Sequence, residues 1–228
     1  MVNFQIKSIL EGEEVRLLED LTFSQKEYFL SNAKTLTYNE SDKLVIEANQ
    51  KCEYVYFIID GSIKTFVIDE GKEHIGIMLH NGDMFGECGI FNKEHYTYNA
   101  GTLEERTKLI AINSEVVKEL MKENFNFNMK IIKKIGQKIA MNEERLFDFA
   151  TKDARQRILE FLKKNVENNG KKIGFETLIK HGLTQQDIAT FTGTSRQTVT
   201  TVLNDLKNKN KIHLRRKSIL IRDIAALV

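Results

Sequence analysis

Proline and tryptophan are absent from this chain of 228 residues, and cysteine occurs only twice. With Cys52 and Cys88 alone and no C-x-x-C spacing, a disulfide-stapled scaffold and a zinc finger are both excluded. Sparse thiols fit a reducing, cytoplasmic setting. Long apolar runs are missing too. The longest, Val55 to Ile59, falls far short of the roughly 20 residues that a membrane helix needs, so no membrane partner is expected. Glu11, Glu13 and Glu14 arrive with no apolar stretch before them, which argues against a secretory leader. There is no P-loop, no H-x-H spacing and no Ser/His/Asp constellation, so no catalytic residue and no metal ligand is assigned. What the chain does have is 41% hydrophobic and 29% charged residues, enough for a folded core in one large or two modest domains.

The net charge of +2 hides an asymmetry. Residues 151–228 carry 16 Lys and Arg against 7 Asp and Glu, whereas residues 1–150 carry 18 against 25. A basic third of +9 joined to an acidic two-thirds of −7 points to two jobs, with a polyanion as partner of the basic part.

Glycine and asparagine punctuate the chain. Short apolar runs cover Leu44–Ile46, Tyr54–Ile59, Ile63–Ile68, His74–Leu79 and Lys108–Ile112, with turn signals at Asp60-Gly61, Asp69-Glu70-Gly71 and Asn81-Gly82-Asp83. Such spacing predicts the strands of an antiparallel barrel or sandwich. Val15, Leu17, Leu18 and Leu21 predict short helices ahead of it. After Ser114 the period becomes helical. A short helix follows, then a long one over about 126–150, in which Ile132, Ile135, Ile139, Asn142, Leu146 and Phe149 recur at 3, 4, 3, 4 and 3. This is a heptad seam, and Asn142 is the kind of polar seam residue that fixes register. It can pack back on the barrel or against a second copy. A helix of roughly 37 Å exceeds what a small barrel covers, which favours the dimer.

The most specific signal is residues 183–206. Thr184 and Asp187 form a capping box, Ala189 is small where two helices must cross, and Gly193 suits a left-handed helix stop. Thr194 or Ser195 then caps a second helix, whose buried stripe is Val199, Val202, Leu203 and Leu206. Arg196, Gln197, Thr200 and Thr201 consequently face outward, the residue types that read base edges or hold phosphates. A basic hairpin, Ile212 to Arg222, follows with Arg215, Arg216 and Lys217. This is a winged helix-turn-helix pattern, with Thr184, Ser195, Arg215, Arg216 and Lys217 as DNA-backbone contacts and Arg196, Gln197, Thr200 and Thr201 as base contacts.

On these residues the chain resembles the Crp/Fnr family of bacterial transcription regulators along nearly its whole length. Val45 to Ser62 is similar to that family's first β-roll hairpin, with Asn49 where glycine is usual. Gly82-Asp-Met-Phe-Gly-Glu-Cys-Gly-Ile-Phe91 resembles its phosphate-binding cassette, Asp153-Ala-Arg-Gln-Arg157 the start of its DNA-binding domain, and Thr194 to Val199 its recognition helix. The resemblance implies an α+β chain: an N-terminal antiparallel β-roll of the double-stranded β-helix (jelly-roll) type over 1–125, a dimerisation helix and hinge over 126–151, and a winged helix-turn-helix over 152–228. It implies a cytoplasmic homodimer bound to an inverted-repeat operator in double-stranded DNA, with RNA polymerase as a further partner. The dimer interface would be Ile132, Ile135, Ile139, Asn142, Leu146 and Phe149.

The resemblance also implies an effector pocket at Gly86, Glu87, Cys88, Gly89, Thr97, Tyr98, Asn142 and Glu143. In members that bind cyclic nucleotides an Arg-Ser pair follows the cassette and the arginine holds the phosphate; here Thr97-Tyr98 fall at that place. Asn142-Glu143 match where the family's helix reaches the adenine, and Glu143 adds a negative charge. A buried phosphate without its arginine lacks a bidentate partner, so cyclic AMP is not the expected effector and the cofactor is unknown. Two cysteines are too few for an iron–sulfur cluster with four thiolate ligands. Haem stays open through His74, His80, His95 or Tyr96, and Cys88 reads as core. The family often has glutamate at the place of Gln197 and arginine at that of Thr201. A second reading is a cupin-like barrel enzyme or ligand-binding protein with a C-terminal interaction domain. It needs a metal cluster that the five histidines, 74, 80, 95, 181 and 213, do not spell out.

Overall fold

A computed structural model describes residues 18–215 and 217–224. Val15 and Leu17, expected in helices ahead of the barrel, and Arg216 of the wing lie outside the described residues. The chain forms two compact units, one of residues 18–67 and 78–141, the other of residues 68–77 and 142–224. Among the described residues no helix is long and apolar enough to cross a membrane.

The first unit opens with helix α1 (Phe23–Asn32), started by a Thr22/Gln25 capping box. Strands β1 (Ala33–Tyr38), β2 (Leu44–Ile46), β3 (Tyr54–Asp60), β4 (Ile63–Asp69), β5 (Lys72–Leu79) and β6 (Met84–Phe85) follow. A 3₁₀ turn (Glu87–Phe91), β7 (Asn99–Thr102) and β8 (Thr107–Asn113) complete the roll. They form two antiparallel sheets, ordered β1-β8-β3-β6 and β2-β7-β4-β5. The tip of the β4–β5 hairpin, residues 68–77, belongs to the second unit.

The five apolar runs read from the sequence are all strands. The turns between them use the conformations that their residues tolerate: Gly61 has φ 90°, Glu70-Gly71 48° and 74°, and Gly82 81°. Asn49, standing for the usual glycine, takes φ 70°. The core joins Val55, Phe57, Ile110 and Ile112 of the sheet to Phe29 and Leu30 of α1 and to helix α2 (Ser114–Glu123) through Val116, Val117 and Leu120. Helix α3 spans 27 residues, Phe125–Thr151, and its first turns bury Phe127 and Ile131 in the same core.

In the second unit, helix α4 (Ala154–Asn169), capped by an Asp153/Gln156 box, leads to β9 (Gly170–Ile173) and β10 (Glu176–Lys180). Helices α5 (Gln185–Thr192) and α6 (Arg196–Asn208) follow, then β11 (Ile212–Arg215) and β12 (Ser218–Ile221). The sheet order β11-β12-β10-β9 places the wing hairpin beside the β9–β10 hairpin. The architecture is that of an antiparallel β-roll, a long helix and a winged helix-turn-helix.

Candidate DNA interface and sensor pocket

The helix-turn-helix is built by local chemistry. Thr184 accepts the Asp187 N–H at 3.1 Å while the Asp187 carboxylate accepts the Thr184 N–H at 2.7 Å, which closes the first turn of α5. Gly193 ends α5 at φ 61°, ψ 46°. A Cβ there would lie 2.5 Å from the Phe149 ring, so both backbone and packing require glycine. Ser195, rather than Thr194, caps α6 by accepting the Thr198 N–H at 3.0 Å.

Val199, Val202, Leu203 and Leu206 are buried and turn Arg196, Gln197 and Thr201 to solvent. Thr200 is half-buried; its hydroxyl lies 2.7 Å from Gln185 Oε1 and 2.8 Å from the Arg196 carbonyl, which ties α6 to α5. Arg215 is exposed at the end of β11, and Lys217, half-buried, turns the wing at φ 55°.

Two arginines hold this unit together, and sequence reasoning gave neither a role. Arg157 donates to the Thr192 and Gly193 carbonyls at 2.8 and 3.1 Å, satisfying acceptors that the end of α5 leaves open. Arg145 donates to the carbonyls of Gly76, Ile75 and Phe191 and lies 4.3 Å from the Phe191 ring centroid. Phe149 stacks under both guanidinium groups and covers Gly193, although it stays 40% exposed.

His181 precedes α5. Its Nδ1 accepts the Leu183 N–H at 3.1 Å and its ring meets Phe161 edge-on. Burial pushes its pKa down to about 4, against the opposing pull of Asp187. Above its ordinary value of 6.5 the ring is neutral folded and unfolded alike. As pH falls from there toward 4, the unfolded chain takes up a proton that the folded chain refuses, and stability drops. The expected loss from this group is about 2 kcal/mol at pH 5. Urea unfolding at pH 7 and pH 5 checks it: His181→Asn should narrow the difference between the two pH values by that amount.

In the first unit, the cassette-like segment winds tightly against β3. Gly86, at φ 78°, ends β6 where a Cβ would come within 2.7 Å of the Tyr54 carbonyl, and at Gly89 a Cβ would be 2.3 Å from that of Cys52. The Gly86 N–H donates to the Tyr98 hydroxyl at 3.0 Å, and burial with the nearby Glu87 charge pushes the Tyr98 pKa up. Thr97 is exposed, because side chains alternate along this segment and Tyr96 and Tyr98 take the inward positions. Glu87 pairs with Lys138 of α3 at 2.6 Å, both side chains mostly buried, and its second carboxylate oxygen is buried without a partner. Lys134, one turn earlier, donates to the Gly82 carbonyl. Asn142 and Glu143 are exposed residues of the second unit. His74 and His95 are exposed, while His80 Nδ1 lies 3.0 Å from Ser62 Oγ.

Lys134 and Lys138, which reach the cassette from α3, have no place in the sequence reading. Their signal was present: they continue the buried stripe of Phe127 and Ile131 at helical spacing. Ile135 sits on that side as well and packs against the sensor core. The exposed apolar residues of α3 are Phe125, Met129, Ile132, Ile139, Met141, Leu146, Phe147 and Phe149.

Residues 38–124 match the model of the cyclic nucleotide-binding domain, and residues 156–228 that of the Crp-like helix-turn-helix domain. The cAMP-activated global transcriptional regulator CRP of Salmonella typhimurium is 26% identical over 196 residues, 86% of this chain and 92% of that protein. The CRP-like cAMP-activated global transcriptional regulator of Mycobacterium tuberculosis is 26% identical over 170 residues, 74% and 75% of the two chains. Among solved structures, FixK2 from Bradyrhizobium japonicum superposes with a TM-score of 0.74 at 17% identity, over 86% of this chain and 95% of its own. A CooA mutant from Carboxydothermus hydrogenoformans gives 0.72 at 22% identity, over 95% and 94%. A cupin-like enzyme finds no support in relatives that are transcription regulators, and the chain belongs to the Crp/Fnr family of bacterial DNA-binding transcription regulators.

Proposed function

We propose that this regulator works as a two-fold homodimer on an inverted-repeat operator and answers to a signal other than cyclic AMP. The observation that carries the dimer is the apolar face of α3: Phe125, Met129, Ile132, Ile139 and Leu146 recur at 4, 3, 7 and 7 residues and are all exposed. Such a stripe at heptad spacing is the seam of a two-stranded coiled coil. Gly136 and Glu143 fill the intervening places; Ile135 faces the core, so this seam is shifted around the helix from the Ile132-Ile135-Ile139-Asn142-Leu146-Phe149 spacing. A dimer sets two recognition helices one turn of DNA apart, about 34 Å, which is what an inverted repeat presents. Arg196, Gln197, Thr200 and Thr201 would read bases, while Thr184, Ser195, Arg215, Arg216 and Lys217 would hold the backbone. RNA polymerase is the further partner that a DNA-bound regulator of transcription implies.

Three features of the first unit speak against cyclic AMP. The Tyr98 hydroxyl already takes the Gly86 N–H that a phosphate oxygen would need, and Thr97, at the place of the missing arginine, points to solvent. Glu87 is engaged by Lys138 and not free for a ribose hydroxyl. Calorimetry with cyclic AMP should give no heat at micromolar concentrations, and micromolar affinity would refute this reading of the pocket. Native mass spectrometry of protein purified without added ligand, mixed with an operator duplex, should show two chains per duplex. One chain per duplex would remove the dimer.

A further inference from the structure

Cys52 and Cys88 are the chain's only two cysteines, separated by 36 positions in sequence, and the fold brings them together. Cys52 lies just before β3 and Cys88 in the 3₁₀ turn of the cassette. The backbone of Gly89 presses on the Cys52 carbonyl so closely that a Cβ would lie 2.3 Å from its oxygen. Hydrogen bonds clamp the two segments: the Cys52 N–H donates to the Glu94 carbonyl at 2.9 Å and Lys51 bridges to His95, while within the second segment the Lys93 N–H donates to the Cys88 carbonyl at 3.2 Å. Within this clamp the Cys88 thiol is near enough to push the pKa of Cys52 upward, after burial. A disulfide needs Cα atoms about 4.4–6.8 Å apart, a range open only to segments that pack as closely as backbone on backbone.

We propose that Cys52 and Cys88 are a dithiol modification site, which a peroxide oxidises to a disulfide within one chain. The two sulfurs have different parts. Cys52 is 8% exposed, whereas Cys88 is half-buried and can be approached from solvent. Lys93 and Lys138 favour the thiolate of Cys88, opposing burial and the Glu87 charge, which together hold it above the ordinary range. Burial pushes Cys52 up to about 11, which makes it the poorer first nucleophile, and its backbone, pressed against Gly89 beside Cys88, leaves it the role of resolving thiol.

In the first step the Cys88 sulfur attacks one peroxide oxygen; the S–O bond forms, the O–O bond breaks, and the departing hydroxide takes a proton as water. Cys88 is then a sulfenic acid, oxidised by two electrons. In the second step the Cys52 sulfur attacks it; the S–S bond forms, the S–O bond breaks, and a second water leaves. Two thiols and one hydrogen peroxide thus give one disulfide and two waters. The cross-link would fall next to Glu87, the residue that holds Lys138 of α3.

The test treats the folded full-length protein with hydrogen peroxide, blocks remaining thiols after denaturation and maps peptides. Both thiols should be lost together, recovered by dithiothreitol, and found as a Cys52–Cys88 peptide pair within one chain. Dimedone should label Cys88 of Cys52→Ser and leave wild type nearly unlabelled. The proposal is overturned if one thiol stays alkylatable while the other oxidises, if the cross-link joins two chains, or if both thiols survive peroxide in the folded protein. Where Cys52→Ser fails to fold, the wild-type peptide map decides alone.

Discussion

Ile139→Glu is expected to turn the proposed dimer into monomers and to abolish operator binding at concentrations where the wild type saturates. Ile139 is 54% exposed in the single chain, midway along the stripe from Phe125 to Leu146. It has little packing of its own to lose, so the monomer should stay folded. In a paired helix, though, the side chain faces its symmetry mate, and the substitution buries two carboxylates against each other. An unpaired buried charge costs several kcal/mol, and here the cost is paid twice across one two-fold axis. Two half-sites bound by separate monomers no longer share one binding event, and the gain from linkage, about 10²–10⁴-fold, disappears. Sedimentation velocity on both proteins, with operator binding in parallel, checks the result. A wild type that sediments as a monomer at micromolar concentration, or an Ile139→Glu protein that remains a dimer, would show that the stripe faces something other than a second copy.

Much of this architecture was legible because turn chemistry and apolar runs agree. Asp60-Gly61 and Asn81-Gly82-Asp83 bound strands whose residues were named in advance, and the caps at Thr184, Gly193 and Ser195 are where their side chains or conformations demanded them. The strands that escaped notice lack that agreement. β1 reads Ala-Lys-Thr-Leu-Thr-Tyr, and β7 reads Asn-Ala-Gly-Thr yet is buried throughout. Thr102 and Asn99 survive burial because the fold supplies partners: Thr102 Oγ1 donates to the Glu40 carbonyl, and the Asn99 side chain accepts from the Ala48 N–H. Nothing local announces such partners.

The heptad pattern had a different weakness. On α3 two apolar stripes run side by side, so spacing alone assigned Ile135 and Phe149 to the outer one, while packing takes Ile135 to the sensor core and Phe149 to Gly193. Arg145 and Arg157 were silent for a related reason. Their acceptors are backbone carbonyls, which carry no sequence signature.

Arg196→Ala should cost roughly 1–3 kcal/mol on the cognate operator and relax the preference at one base pair of each half-site. Arg196 is the first residue of α6, exposed, in the turn of a recognition helix that reaches deepest into the major groove. Its guanidinium can donate to both O6 and N7 of guanine, while the neighbouring Gln197 suits adenine. Thr201 is exposed beside them, but the Thr200 hydroxyl is already spent on Gln185 and the Arg196 carbonyl, so Thr200 should offer mainly its methyl group to a thymine. With Gln197 and Thr201 where relatives often carry glutamate and arginine, the selected half-site should differ from the family's usual one at those bases. Lys217→Ala is the contrast. A wing lysine meets phosphates, so its loss should weaken every sequence about equally and lower the salt slope by about one. Selection from random DNA, run on wild type and both variants, separates the two effects. An Arg196→Ala motif identical to that of wild type would mean that another face of α6 enters the groove.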